Sequence, residues 1–129
     1  PDAPPDLSGL AAGDQEGRIQ VLLSCHHDDW DVQVPATVAL QLRGLAPGQL
    51  YSVVTRTIDR ARANSYAAWV AMESPRKATA AQMEVLKRAA LLKPRKLRDL
   101  TADRSGSSEV SIVAATHSVT LIELTPVHK

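Results

Sequence analysis

Short segments in which apolar and polar residues alternate constrain the fold of this 129-residue chain most strongly. In residues 37–43, Val38, Leu40 and Leu42 alternate with Thr, Ala, Gln and Arg. A period of two places one set of side chains on one face of a β-strand, where it can be buried. Residues 18–25, 50–57, 109–115 and 118–124 have the composition and spacing of further strands. The chain is therefore expected to build antiparallel sheets that bury one face each.

The pattern changes between residues 58 and 94, where helical signals replace strand signals. Asn64 or Ser65 can cap a short, Ala-rich helix over residues 66–72. Thr79, followed three residues later by Gln82, has the spacing of a capping box and predicts a second helix that runs to about residue 92. Apolar residues recur at helical spacing in this second helix and predict a buried stripe: Met83, Leu86 and Ala90.

Together these segments predict a mainly β fold, an antiparallel β-sandwich with a helical insertion at about residues 64–93. Residues 1–17 are rich in Pro, Gly, Ala and Asp and are expected to form a linker or an edge segment. Residues 18–126 are expected to form one domain. The turn residues Pro47 and Gly48 predict that segments 37–43 and 50–57 pair as a hairpin.

Composition excludes several classes of partner. The chain has 15 Lys and Arg against 14 Asp and Glu, a net charge of +1, which gives no overall attraction to nucleic acid or to an anionic membrane. The longest apolar run, at 66–72, is far shorter than the ~20 residues that a membrane-spanning helix needs. We therefore expect a soluble protein without nucleic-acid or membrane partners. These observations leave the compartment open, and the bacterial cytoplasm or periplasm is the expectation.

No recognisable catalytic or metal-binding motif is present. His26 and His27 are adjacent, so on a strand they point to opposite faces and are poorly placed to share a metal ion. Cys25 is expected to be a small buried residue rather than a nucleophile. The glutamates lie in no active-site pattern. The sequence thus predicts no catalytic residue, no metal and no cofactor.

Residues 58–86 resemble a signature of glycoside hydrolase family 39, the family of retaining β-xylosidases to which α-L-iduronidase is more distantly similar. Eleven positions match in register: Ile58, Asp59, Asn64, Tyr66, Trp69, Met72, Ser74, Pro75, Thr79, Gln82 and Leu86. The sequence departs from the family pattern at Arg62, where the family has His, and at Glu73, where it has Gly. The closing segment 118–124 is similar to the family's terminal strand.

The resemblance implies that this chain corresponds to the carboxyl-terminal β-sandwich of such an enzyme. The catalytic (β/α)8 barrel, which supplies the acid/base and nucleophile glutamates, would lie upstream of Pro1 and is absent from this chain. A complete barrel alone needs ~250 residues. The implied partners are that barrel, a second copy of the enzyme in a homo-oligomer, and xylo-oligosaccharide.

The residues to weigh as a structural loop or as the rim of the substrate pocket are Asp59, Arg62, Asn64, Tyr66 and Trp69. Helical spacing predicts that Tyr66, Trp69 and Met72 are buried against the sandwich or the barrel. Two alternatives stay open. The chain could be a free-standing carbohydrate-binding module, in which an exposed aromatic ring stacks on sugar; Trp30 is the candidate ring outside the matched segment. It could instead be a protein-interaction β-sandwich with no role in sugar chemistry.

Overall fold

The computed structural model describes residues 6–29, 31, 35–60 and 62–128, so Trp30 lies outside the described residues. The strands before the helices are β1 Asp6–Gly13, β2 Ile19–His26, β3 Ala36–Leu42 and β4 Leu50–Ile58. The helices are α1 Ser65–Ala71 and α2 Ala80–Ala89. The strands after them are β5 Arg95–Lys96, β6 Leu100–Thr101, β7 Ser108–Ala114 and β8 Ser118–Pro126.

The strands form two antiparallel sheets. The larger sheet has the order β1-β2-β8-β4-β5, with β6 also paired to β4, and the smaller sheet consists of β3 and β7. Residues 6–13, within the segment expected to be a linker or an edge, form the edge strand β1. The predicted mainly β, antiparallel sandwich with a helical insertion is confirmed.

The core lies between the two sheets. From the larger sheet, alternate residues of β8 and β4 point inward, and Ile122, Leu124 and Val53 are at most 1% exposed. Val110 of β7 and Leu40 of β3 meet them from the smaller sheet. Cys25 is also buried, as predicted, beside Leu23 and Ala114 in a second cluster. The period-two pattern of residues 37–43 therefore identifies the inward face of β3 correctly, with Val38, Leu40 and Leu42 on it.

The predicted hairpin between residues 37–43 and 50–57 is wrong. β3 pairs with β7, whereas β4 pairs with β8, so the two strands belong to different sheets. The loop between them crosses from one sheet to the other. Within it, buried Leu45 donates its backbone N–H to the carbonyl of Gly106 at 2.9 Å. The predicted turn residues do lie in this loop, but local turn chemistry does not determine which sheet the next strand joins.

The helical insertion contains the two predicted helices. Thr79 and Gln82 form the predicted capping box. The second helix ends at Ala89, earlier than the expected residue 92, and the chain then returns to the sheet, where Arg95 pairs with Thr55. In the described part of the chain, neither helix is long and apolar enough to cross a lipid bilayer.

Candidate functional site

The loop that leaves β4 is organised around the carboxylate of Asp59. One of its oxygens accepts the backbone N–H of Arg62 at 2.7 Å, and the other accepts Nε and Nη2 of the same side chain at 2.9 and 2.7 Å. The Asp59 side chain is 8% exposed and that of Arg62 is 50% exposed. This ion pair, with its buried carboxylate, holds the loop closed, so Arg62 has a structural role at the position where the resembling family has His.

Asn64 connects the loop to the first helix. Its amide nitrogen donates to the carbonyls of Asp59 and Arg60 at 3.1 and 3.2 Å. Its amide oxygen accepts the backbone N–H groups of Tyr66 and Ala67, which are unpaired at a helix start. Asn64, rather than Ser65, is therefore the N-cap of α1, and it fixes the direction in which the helix leaves the loop.

Tyr66 and Trp69 lie on α1 and contact each other. Their ring centroids are 5.8 Å apart, and Trp69 Nε1 donates to the carbonyl of Pro75 at 3.0 Å. Trp69 is partly buried, but Tyr66 is 67% exposed. Of the two expected packing partners, the sandwich does not bury Tyr66, because the helices pack chiefly on each other and not on the sheets; burial against a barrel stays a prediction.

The apolar stripe of α2 is also uncovered. Neither helix contains a buried residue: in the stripe, Met83 is 43% exposed, whereas Leu86 is half-buried. An open groove of about 500 Å³ runs between the two helices, and Tyr66, Trp69 and Met83 are among its lining residues. The predicted helical spacing is confirmed, but the expected full burial of the stripe is wrong within the described chain, where α1 covers it only in part.

The five predicted residues do not converge on one cavity. Asp59, Asn64 and Tyr66 line a shallow depression of about 330 Å³ together with His117 of the β7–β8 connection. Arg62 lines a separate cleft, and Trp69 lines the groove between the helices. Sequence reasoning missed His117, because its position beside this loop depends on the pairing of β4 with β8, which brings the end of β4 opposite the start of β8.

The chemistry available at the loop is limited. Among the described residues, Asp59 is the one carboxylate that is buried, and both of its oxygens are engaged by Arg62. Glycoside hydrolysis generally needs two carboxyl groups on either side of the scissile bond, one to protonate the leaving group. Within the described ranges, no group of three or more His, Cys, Asp or Glu side chains is arranged to hold a metal ion. The geometry of the loop fits shape recognition or docking better than bond cleavage.

Fold and site together define a class of protein, an antiparallel β-sandwich domain that carries an exposed two-helix insertion. Solved structures with this fold include enzymes of glycoside hydrolase family 39. The chain is similar to a GH39 enzyme from Xanthomonas axonopodis pv. citri, with a TM-score of 0.77 and 20% identity over 92% of this chain and 26% of that one. It is also similar to a monomeric β-xylosidase from Caulobacter crescentus CB15, with a TM-score of 0.71 and 25% identity over 93% of this chain and 26% of that one.

A bacterial orthologue of human α-L-iduronidase has the same fold in part, with a TM-score of 0.73 and 23% identity over 94% of this chain and 22% of that one. No protein-family model and no curated protein matches the sequence. The resemblance to GH39 enzymes that residues 58–86 indicate is thus confirmed by structure. The chain spans about a quarter of the length of each of these solved chains.

Proposed function

We propose that this chain is a non-catalytic accessory domain of a retaining, β-xylosidase-type glycoside hydrolase that degrades xylo-oligosaccharides. The observation that carries the proposal is the uncovered apolar face of the helical pair α1 and α2. The domain that carries this face has the same fold as part of enzymes several times longer than this chain. Under this proposal a catalytic barrel covers the helical pair and supplies both catalytic carboxylates.

The exposed face supports a domain interface on physical grounds. The helices have 7 and 10 residues, whereas isolated helices shorter than ~12–15 residues are marginal in water. Large apolar side chains lie exposed on them, and Tyr66 and Met83, which are 67% and 43% exposed, line the groove between the two helices. Contiguous exposed apolar surface on a soluble domain is typical of an interaction site. A neighbouring domain that buries this face would stabilise the helices and would itself be braced by the rigid sandwich.

The loop at Asp59 gives the proposal a second part, a contribution to the rim of the substrate pocket. The Asp59–Arg62 ion pair and the Asn64 cap make this loop rigid, and a rigid loop is what a pocket wall requires. Tyr66, two-thirds exposed at the end of the same loop, presents a ring that can stack on a sugar. The loop would shape the pocket without reacting with substrate.

The test compares hydrolysis of an aryl β-xyloside by two proteins, this chain alone and the longer polypeptide that joins it to the domain encoded upstream. We expect turnover only by the longer polypeptide. A double variant, Tyr66→Ala with Met83→Ala, should weaken its domain contact and lower its melting temperature, whereas Val113→Ala, at a residue 64% exposed on β7, should not. Turnover by this chain alone at a comparable rate, or an upstream sequence that encodes no glycosidase barrel, would contradict the proposal.

The exposed ring pair also favours a second candidate, a carbohydrate-binding module that acts by itself. Tyr66 and Trp69 are close enough to form one stacking platform. Titration of the isolated chain with xylo-oligosaccharide, followed by tryptophan fluorescence, separates the two functions. Saturable binding that Tyr66→Ala abolishes would support the module. Self-association of the chain through the same face, visible by sedimentation, would assign the groove to a homo-oligomer instead.

A further inference from the structure

The inward-facing row of β4 changes from apolar to polar before the strand ends. Tyr51 and Val53 are buried in the core, but the next inward positions are Thr55, which is 6% exposed, and Thr57. They lie opposite Ile122 and Thr120 of β8, on the face that the sandwich buries further along. A strand that continued the core would carry apolar residues here. The Thr57 hydroxyl pairs with that of Thr120 at 3.2 Å, so the buried hydroxyl of Thr55 is the one that indicates a polar environment on this side of the sheet.

A cleft of about 300 Å³ lies over these two threonines. The end of α2 and the segment that returns to the sheet form its walls, with Arg88, Lys93 and Arg95 among the lining residues. Register fixes one of these positions, because Arg95 of β5 pairs directly with Thr55 and cross-strand partners share a face of the sheet. The neighbouring Lys96 therefore lies on the opposite face, where it contacts Ser52 and Asp99.

The charge of this cleft is uncompensated. Its lining includes no acidic side chain among the described residues. Arg62 also lines it, but its guanidinium is paired with Asp59. Among the residues that the structure describes, Arg88, Lys93 and Arg95 form no ion pair with a carboxylate, although other cations of the chain do so: Arg18, Arg56, Lys87 and Lys96. Three like charges around one concave space repel one another, and a bound anion would remove that repulsion.

We propose that this cleft, which we name the β4 basic cleft, binds a tetrahedral dianion, a phosphate or sulfate group. Arg95 would hold its oxygens through paired N–H donors, and Arg88 through its two Nη groups, because its Nε donates to the carbonyl of Glu84 at 3.4 Å. Lys93 would add a point charge, and the Thr55 hydroxyl would donate from the floor. A dianion matches three uncompensated cations better than a carboxylate with a single charge does. The site is independent of the proposed sugar chemistry and of the groove between the helices.

The test titrates the 129-residue chain with sodium phosphate and with sodium sulfate at constant ionic strength, and follows backbone amide chemical shifts. We expect saturable shifts confined to residues of β4, β5 and the end of α2. Sodium acetate, which supplies a singly charged anion for comparison, should bind at least tenfold more weakly. If the natural ligand is a phosphate or sulfate ester, inorganic phosphate should still bind in the β4 basic cleft, because the cleft recognises the same tetrahedral group.

Matched variants separate a built site from general attraction to a cation. The double variant Arg88→Gln/Arg95→Gln should weaken sulfate binding at least tenfold, whereas Arg104→Gln/Lys77→Gln, which removes the same charge at exposed positions outside the cleft, should leave it within twofold. Thr55→Val, which keeps the shape of the side chain and fits a buried strand, should weaken binding several-fold. Absence of saturable binding, equal loss in both double variants, or tighter binding of acetate than of sulfate would overturn the proposal.

Discussion

At the scale of single residues, Asp59 has the largest structural effect in the helical insertion. Its buried carboxylate satisfies a backbone N–H and a guanidinium at once, and its backbone carbonyl accepts from the N-cap side chain of Asn64. The orientation of Arg62 and the closure of the loop therefore depend on the acidic side chain, whereas the link to Asn64 depends on the backbone of Asp59. The sequence indicates Asp59 and Asn64 as loop residues, because short polar side chains commonly pair with nearby backbone groups.

Replacement of Asp59 by alanine should destabilise the chain. The change leaves the backbone N–H of Arg62 without its acceptor and removes an ion pair whose guanidinium is half exposed, which together typically cost about 1–2 kcal/mol. Urea denaturation followed by circular dichroism measures the change. Asp28→Ala, at a fully exposed carboxylate, is the control and should leave the free energy of unfolding nearly unchanged. An equal effect of the two substitutions would contradict the assigned role of Asp59.

Gly106 is required by both its backbone conformation and its surroundings. Its φ is +78°, and a Cβ built on it would lie 2.4 Å from the carbonyl oxygen of Leu45, which is backbone in the loop that crosses the sandwich. Gly106→Ala should therefore cost more than about 3 kcal/mol, since strain and steric overlap add. Gly44→Ala has the same sign of φ but open space around it, so only the conformational cost of about 1 kcal/mol is expected. Comparable melting temperatures for the two variants would show that the close approach of Leu45 does not constrain position 106.

The carboxyl group of Asp103, in the turn that contains Gly106, should make the stability of the fold depend on pH. The hydroxyl of Ser105, with backbone N–H groups of the turn, lowers the pKa of this carboxyl from its ordinary value of 3.8. Because the folded pKa lies below the unfolded one, the stabilisation is fully present above pH 3.8 and is lost as the pH falls through the folded value. Asp103→Asn should flatten the loss of stability below about pH 4, as measured by thermal unfolding at a series of pH values. A profile identical to that of the parent chain would show that the turn contributes nothing.

At the scale of elements, the end of α1 departs from what helix chemistry favours. The backbone N–H of Glu73 donates to the carbonyl of Val70 and that of Ser74 donates to the carbonyl of Trp69, the hydrogen bonds of a Schellman motif. Glu73 has φ +67° in this motif, a conformation that favours glycine. The family that residues 58–86 resemble has Gly at this position. Glu73 therefore adds a conformational cost to the end of α1 that Gly would not have.

Glu73→Gly should therefore stabilise α1. Relief of the left-handed strain is worth about 1 kcal/mol, which corresponds to a roughly fivefold rise in amide protection. Hydrogen exchange of the α1 amides measures it better than global melting, because the helical pair has few contacts with the sheets. Glu73→Ala retains the strain and is the control. Equal protection in the glycine and alanine variants would mean that φ does not limit the helix.

Elements differ in how far the sequence determines them. The alternation of β3 and the capping box at Thr79 are local signals, and both are present in the structure. The partner of a strand is not a local property. β3 joins β7 and β4 joins β8, and the loop that crosses between them is held by a contact of Leu45 with Gly106, two residues far apart in sequence. The position of His117 beside the candidate site follows from the same pairing.

At the scale of the whole molecule, the chain combines a well-packed sandwich with an insertion that packs on little but itself. The inward faces of β4 and β8 supply the most deeply buried residues, whereas neither helix contributes one. Helical periodicity predicts an apolar stripe, and the stripe is present, but periodicity does not reveal what covers it. The proposed second domain would cover that stripe, and the chain shares its fold with part of longer GH39 enzymes.

Amide hydrogen exchange, compared between the chain alone and the longer polypeptide that carries the proposed catalytic domain, decides whether the helical pair is a domain interface. In the chain alone, we expect the amides of α1 and α2 to exchange far faster than those of β4 and β8. In the longer polypeptide, protection of both helices should rise at least tenfold, while β8 stays unchanged. Helices that exchange at the same rate in the two proteins would contradict the claim that the helical pair is a surface for a neighbouring domain.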